Sequence, residues 1–395
     1  MLNQRSLGLG NQPNKIRELF AYGLQRKAQI GADKVFDFSI GNPSVPTPAK
    51  VTETLTTLLR EEDPVALHGY TPSAGAAETR AAVAESLARR FGIDAKPDQV
   101  YMTTGAAAAL AISLSAVCSE GDEVIVPTPY FPEYGVWAAT AGASMVEVPC
   151  RPSDFQLDVP AMAAAVNEKT AAVIINSPHN PVGSIYSAEN LTEFCDMLAA
   201  KEQELGHPVY LISDEPYREI PYGDEVPFVP DFYEHTIICN SYSTSLSLPG
   251  ERIGYIYVSN KMGNAAEVTL AVQGAGRALG YVCASSLFQK MVVACVDEPS
   301  DVEAYRANRE LLTGILDELG DEYIAPQGAF YLWTKALEAE SEAFCERAKD
   351  YELLLVPATC FRSEGWVRIS YCVSSETIKN SKPAFAALMN SYQRA

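Results

Sequence analysis

TIICNSYSTSLSLPGERIGYIYVS, residues Thr236–Ser259, reads as a strand, a serine-rich loop and a second strand. TIICNS (Thr236–Ser241) and GYIYVS (Gly254–Ser259) are short β-branched and aromatic runs. Between them lie small hydroxyl residues, Pro249, Gly250 and one cation, Arg252. The same rhythm runs upstream. VYMTT (Val100–Thr104) precedes the alanine-rich GAAAALAISLSAVC. EVIVP (Glu123–Pro127), SMVEVP (Ser144–Pro149), TAAVIIN (Thr170–Asn176) and VYLISD (Val209–Asp214) follow. Long polar–apolar helices separate several of them, clearest in SAENLTEFCDMLAAKEQEL (Ser187–Leu205). Short β-rich runs alternating with helices predict an α/β fold with a mostly parallel sheet covered on both faces. In such sheets the loops leaving the C-terminal strand ends carry ligands.

The C-terminal part reads differently. A charged helix (Asp301–Leu319) leads to AFYLW (Ala329–Trp333), a helix (Glu338–Tyr351), WVRISY (Trp366–Tyr371) and a last helix. This pattern predicts a smaller α+β domain, joined by the N-terminal helix near Lys15–Ile30. The expected division is an N-terminal segment 1–47, a large domain 48–285 and a C-terminal segment 286–395. No fixed-period repeat or low-complexity linker interrupts it.

Composition narrows the class. Of the 395 residues 47% are hydrophobic and 20% charged, ordinary for a folded enzyme rather than a disordered chain. The formal net charge of −20 would repel a polyanion, so nucleic acid is not expected as a partner. The first twenty residues lack a signal peptide's apolar core, and no apolar run reaches the roughly 18 residues of a membrane span. Nine cysteines, an odd number with no C-x-x-C pair, argue against disulfides and for a reducing, cytoplasmic setting. The four histidines show no metal-binding spacing, so no metal is expected.

Four loops after strands carry chemistry. Gly105, Ala106 and Ala107 open a helix whose free amides and dipole suit a phosphate, although a glycine there also serves structure alone. Tyr130, between two prolines in PTPYFPEY, could stack on a flat ligand or pack in the core. NSPHNPVG (Asn176–Gly183) is a rigid turn with or without a ligand. In DEPY, Asp214 ends a buried strand, where a carboxylate needs a cation or donors; capping the next helix is the alternative.

Together these elements resemble the fold-type-I, pyridoxal-phosphate-dependent aminotransferases of class I/II, from about Phe38 to Tyr371. Around its cofactor lysine the family runs small, aromatic, small, Lys, then six residues on a small residue, x, Arg, aliphatic, Gly. Ser241, Tyr242, Ser243, Gly250, Arg252, Ile253 and Gly254 fit; the lysine position holds Thr244. The resemblance implies an aspartate-aminotransferase-like fold and the transfer of an amino group between an amino acid and a 2-oxo acid. It implies that Asn180 and Tyr217 contact the ring hydroxyl of pyridoxal phosphate, that Asp214 pairs with its ring nitrogen and that Tyr130 stacks on the ring. Gly105, Ala106, Ala107, Ser241 and Arg252 would hold the phosphate, and Ser243 would also contact the cofactor. Tyr70, in HGYTPSAGAAETR, would reach the phosphate of a neighbouring subunit, implying a homodimer. Arg368 would clamp the substrate carboxylate bidentately, with Asn180 and Gly41 nearby.

Thr244 modifies that expectation. A threonine hydroxyl forms no imine with the cofactor and is too weak a base to move a Cα proton, a loss of about 10²–10⁴ in rate. The cofactor is therefore expected to bind non-covalently, in an impaired or trapping variant of a working enzyme. A non-catalytic binding homologue and a lyase of the same fold are the alternatives. Gly274, Gly276 and Gly280 mimic a dinucleotide fingerprint, but the preceding GNAAEVTLAVQ reads as helix, so close helix packing is expected there. Arg277 within it could face a substrate side chain.

Overall fold

A computed structural model describes residues 2–12 and 14–393. Met1, Pro13, Arg394 and Ala395, which fall within the two expected outer segments, lie outside the described residues. The chain forms two compact units. The larger comprises Pro43–Ala304 with Pro326–Ala329; the smaller comprises Met1–Asn42, Tyr305–Ala325 and Phe330–Ala395. The helix Ser286–Cys295, which a boundary at 285 would assign to the small domain, packs on helices Ala49–Glu61 and Ala77–Phe91 of the larger unit.

The larger unit is built on seven strands: β1 (Val100–Thr103), β2 (Glu123–Thr128), β3 (Ser144–Pro149), β4 (Thr170–Asn176), β5 (Tyr210–Asp214), β6 (Thr236–Ser241) and β7 (Gly254–Val258). Their order is β1-β7-β6-β5-β4-β2-β3. Only β7 runs antiparallel to its neighbours, so the sheet is α/β and mostly parallel, as the sequence predicts. Burial explains the composition of the strands. Every residue of β1, β6 and β7 is buried, and Val173, Ile174, Leu211, Ile212, Ile237 and Ile256 are fully enclosed. A sheet covered on both faces selects continuous apolar runs rather than alternation.

Helices seal the two faces. Ala106–Val117 presents Ala109, Ile112 and Ser113 to one face; its small side chains let it sit close to the sheet. Ala188–Leu205 buries Leu191, Phe194 and Leu198 against the other. Its ends follow from local chemistry, with Ser187 accepting from Asn190 N at the start and Gly206 left-handed at the end.

The smaller unit carries an antiparallel sheet of β8 (Tyr323–Ile324), β9 (Tyr331–Lys335), β10 (Val356–Pro357) and β11 (Trp366–Ser370), ordered β10-β11-β9-β8. Phe36–Asp37 pairs in parallel with Leu353–Leu354, which ties the N-terminal segment to the C-terminal one. Expected helix limits shift by a few residues, to Val302–Leu319 and Ser341–Lys349.

Candidate functional site

The first half of the site sits where β1, β7 and β6 end side by side. β1 turns through Gly105, at φ 91°, into the helix Ala106–Val117. Thr103 Oγ1 donates to Gly105 O at 3.1 Å and fixes the corner. The amides of the first helical turn, Ala106 and Ala107 among them, have no carbonyl of their own helix to reach. A Cβ on Gly105 would lie 2.8 Å from Arg252 Nη2, so glycine is what allows the guanidinium to rest on the turn. Arg252 is itself left-handed, at φ 53°, and its Nη1 donates to Pro249 O at 3.0 Å. From the end of β6, Ser241 Oγ accepts from Ser243 N at 3.3 Å and shares a short hydrogen bond with Ser243 Oγ. Gly254 completes the packing, since a Cβ there would lie 3.0 Å from Gly105 Cα. Amides, two hydroxyls and a guanidinium thus meet at one sheet corner, a donor set that suits a phosphate dianion.

The second half is a carboxylate one strand away. Asp214 closes β5, in register with Asn176 of β4 and Cys239 of β6, and is 5% exposed. Asn176 Nδ2 donates to Asp214 O at 2.8 Å, and Tyr134 donates its hydroxyl to Asp214 Oδ2. Asp214 Oδ1 is buried with no partner. Burial pushes the Asp214 carboxyl up to about 7; the Tyr134 hydrogen bond opposes that rise and nearby Glu215 adds to it. Glu215 is otherwise committed, accepting from Ser213 Oγ at 2.7 Å and pairing with the buried Arg218. No helix starts after Asp214, since residues 216–219 form a turn, so the capping alternative does not apply. A buried carboxylate oxygen without a donor is costly, and a cationic ring N–H would satisfy it. Pyridoxal phosphate offers that N–H and a phosphate, so the residues present fit the group.

The turn Asn176–Gly183 holds cis peptides at Ser177–Pro178 and Asn180–Pro181. Asn176 Oδ1 accepts from Asn180 N at 2.6 Å, and Asn180 Nδ2 lies 3.5 Å from the Tyr217 hydroxyl. Asn180, Tyr217 and Asp214 are thus linked through Asn176. Thr244 lies in the short helical turn Tyr242–Ser245 and is buried.

Tyr130 departs from its expected placement. Its ring is buried, stacked on Tyr134 at 6.0 Å, and its hydroxyl donates to Glu147 at 2.8 Å. The adjacent Phe131 is the partly exposed aromatic at this corner, and its edge meets Tyr134 at 5.8 Å. Sequence reasoning misses both Phe131 and Tyr134. The available signal was the cluster of aromatic residues Tyr130, Phe131 and Tyr134 in PTPYFPEY, which the prolines obscured. Tyr70 is 99% exposed. Gly75 and Arg80 of its segment have local duties, Arg80 Nε donating to Gly75 O at 3.2 Å.

In the smaller unit Arg368 is buried on β11. Its Nη2 donates to Ser39 O at 2.7 Å, with Tyr331 and Phe361 rings 4.6 and 4.8 Å from the guanidinium carbon. Gly41 lies where a Cβ would strike the Tyr331 hydroxyl. The glycine-rich mimic proves to be helix packing. Gly274 and Gly276 lie inside the helix Ala265–Leu279, Gly276 against Tyr101, and Gly280 caps it left-handed. Arg277 is exposed.

Known proteins are similar to this chain along nearly its whole length. The sequence profile described as aminotransferase class I and II matches residues 33–381. An aspartate/prephenate aminotransferase of Thermus thermophilus is 32% identical, with 96% of each chain covered. An aspartate aminotransferase of Pyrococcus abyssi is 30% identical, covering 93% of this chain and 94% of that one. Among solved structures, an amino transferase from Eubacterium rectale has a TM-score of 0.97 at 50% identity, covering 99% of each chain. Aspartate aminotransferase from Thermus thermophilus with maleate has a TM-score of 0.87 at 28% identity, covering 98% of this chain and 99% of that one.

Proposed function

The chain belongs to the aminotransferase class I and II family, and from that premise we propose that it holds pyridoxal phosphate non-covalently, because Thr244 occupies the position of the cofactor lysine. The observation that carries this reading is the unpartnered Asp214 Oδ1, buried one strand from a cup of phosphate donors. Gly105, Ala106, Ala107, Ser241, Ser243 and Arg252 would hold the phosphate. Asp214 would pair with the ring nitrogen, and Asn180 and Tyr217 would contact the ring hydroxyl. Phe131, rather than the enclosed Tyr130, would lie against the ring. Once bound, the cofactor supplies an electron sink that lets a bond at an amino acid's Cα break. Asp214 would hold a proton at the ring nitrogen, and Arg368 would bind the substrate carboxylate with a fork that lysine could not reproduce.

Thr244 can hold neither the cofactor covalently nor the Cα proton, since its hydroxyl is a weak base at neutral pH. The chain is therefore an impaired or trapping form of an aminotransferase working in the cytoplasm. Thr244→Lys supplies the missing amine and should give amino transfer to 2-oxoglutarate or pyruvate. Aspartate heads the donor panel, because the relatives above are named for it. Faster turnover by about 10²-fold or more than the unaltered chain is the expected result. No transfer with any amino acid, although Thr244→Lys carries covalent cofactor, would sink the reading. Ammonia and pyruvate as products would favour a lyase, and no covalent attachment at all would favour a binding protein.

A further inference from the structure

Tyr134 has no part in the reading just given, yet among the described residues its hydroxyl is the close side-chain donor to the Asp214 carboxylate, Asn176 Nδ2 reaching the same oxygen at 3.5 Å. It is 1% exposed, on the first turn of the helix Glu133–Thr140. Tyr130 stacks on it at 6.0 Å, Phe131 meets it edge-on at 5.8 Å, and Trp137 lies 6.2 Å away, so its ring has one position. From there the hydroxyl donates to Asp214 Oδ2, leaving Oδ1 as the unpartnered oxygen. The other groups beside Asp214 are turned mainly elsewhere. Asn176 Nδ2 donates to its backbone carbonyl at 2.8 Å and reaches Oδ2 at the long distance of 3.5 Å, Cys239 opposite it in register bonds with Ser113, and Glu215 is paired with Arg218. Burial holds the Tyr134 phenol far above its ordinary range, so it stays a neutral donor at any working pH.

We propose that Tyr134 is a positioning residue: its hydrogen bond favours the ionised form of Asp214 and turns it so that Oδ1 is the oxygen offered to the ring nitrogen of the bound cofactor. The inference rests on the cofactor reading above and adds a residue to it. Two consequences follow from the chemistry. A buried carboxylate that loses its only hydroxyl donor holds its proton to higher pH. A protonated Asp214 then pairs poorly with a cationic ring nitrogen, while the phosphate cup is untouched.

Tyr134→Phe removes one oxygen and keeps the ring packing. In cofactor-free protein, infrared difference spectra referenced to Asp214→Asn follow the Asp214 carboxyl through a pH titration; in Tyr134→Phe its midpoint should rise by about one pH unit. Binding is then measured for pyridoxal phosphate and for its analogue with C–H in place of the ring nitrogen. Tyr134→Phe should weaken pyridoxal phosphate about ten-fold or more and leave the analogue unchanged. An unmoved midpoint overturns the proposal, as does an equal loss for both probes, which would mark Tyr134 as packing alone. If the unaltered chain binds neither probe, the cofactor reading itself falls, and the infrared titration still decides whether Tyr134 governs Asp214.

Discussion

Asp214 concentrates the chemistry of this chain at one residue. Its carboxyl, near 3.8 in a free chain, is pushed up to about 7 by burial, so the folded protein holds a proton there that the unfolded chain releases. The sign follows from linkage: between those two values the native state binds more protons, and stability falls as pH rises. Asp214→Asn, which cannot ionise, should match the unaltered cofactor-free protein near pH 4 and exceed it by up to about 4 kcal/mol above pH 7. Urea melts across pH 4–8 check this, and a gap that stays constant with pH would contradict it. Asp214 was readable in the sequence because DEPY closes an apolar run. Tyr134 was not, because 80 residues separate it from the carboxylate it touches and nothing local marks the pair. Tyr130 misled for a related reason: its place between prolines signals a corner, but not which of two neighbouring aromatics faces outward.

At the level of elements, the strands were the most legible feature. A sheet buried on both faces demands runs such as TAAVIIN and TIICNS, and these became β4 and β6 with the same limits. The loops after them were legible as rigid corners, since glycine and proline there answer to backbone geometry. Gly105 shows the link between element and site. Its positive φ and its contact with Arg252 both exclude a side chain, so one residue sets the helix start and the reach of the guanidinium. Gly274, Gly276 and Gly280 resemble a nucleotide loop in spacing alone; the segment before them is helix, and Gly276 is used for contact with Tyr101. The ends of the C-terminal helices were less legible, because the charged residues flanking them suit helix and turn alike.

At the scale of the molecule, the sequence revealed a large α/β part and a smaller α+β part. It did not reveal that the chain re-enters the larger unit for Pro326–Ala329, since four residues carry no periodicity. We propose a homodimer on the family resemblance, which implies that Tyr70 reaches a neighbouring subunit, and on the 99% exposure of that side chain. Sedimentation at micromolar concentration should give twice the mass of the chain, 42.8 kDa, and a monomer would count against the assignment. The central claim is that this chain keeps the cofactor site of its family without the covalent link. Its most direct test is to mix the unaltered protein with pyridoxal phosphate, reduce one half with borohydride and take intact masses, and pass the other half through an ultrafilter. The account predicts cofactor retained on the filter, one per chain, and a reduced protein of unchanged mass; cofactor passing freely through the filter at micromolar protein would contradict it.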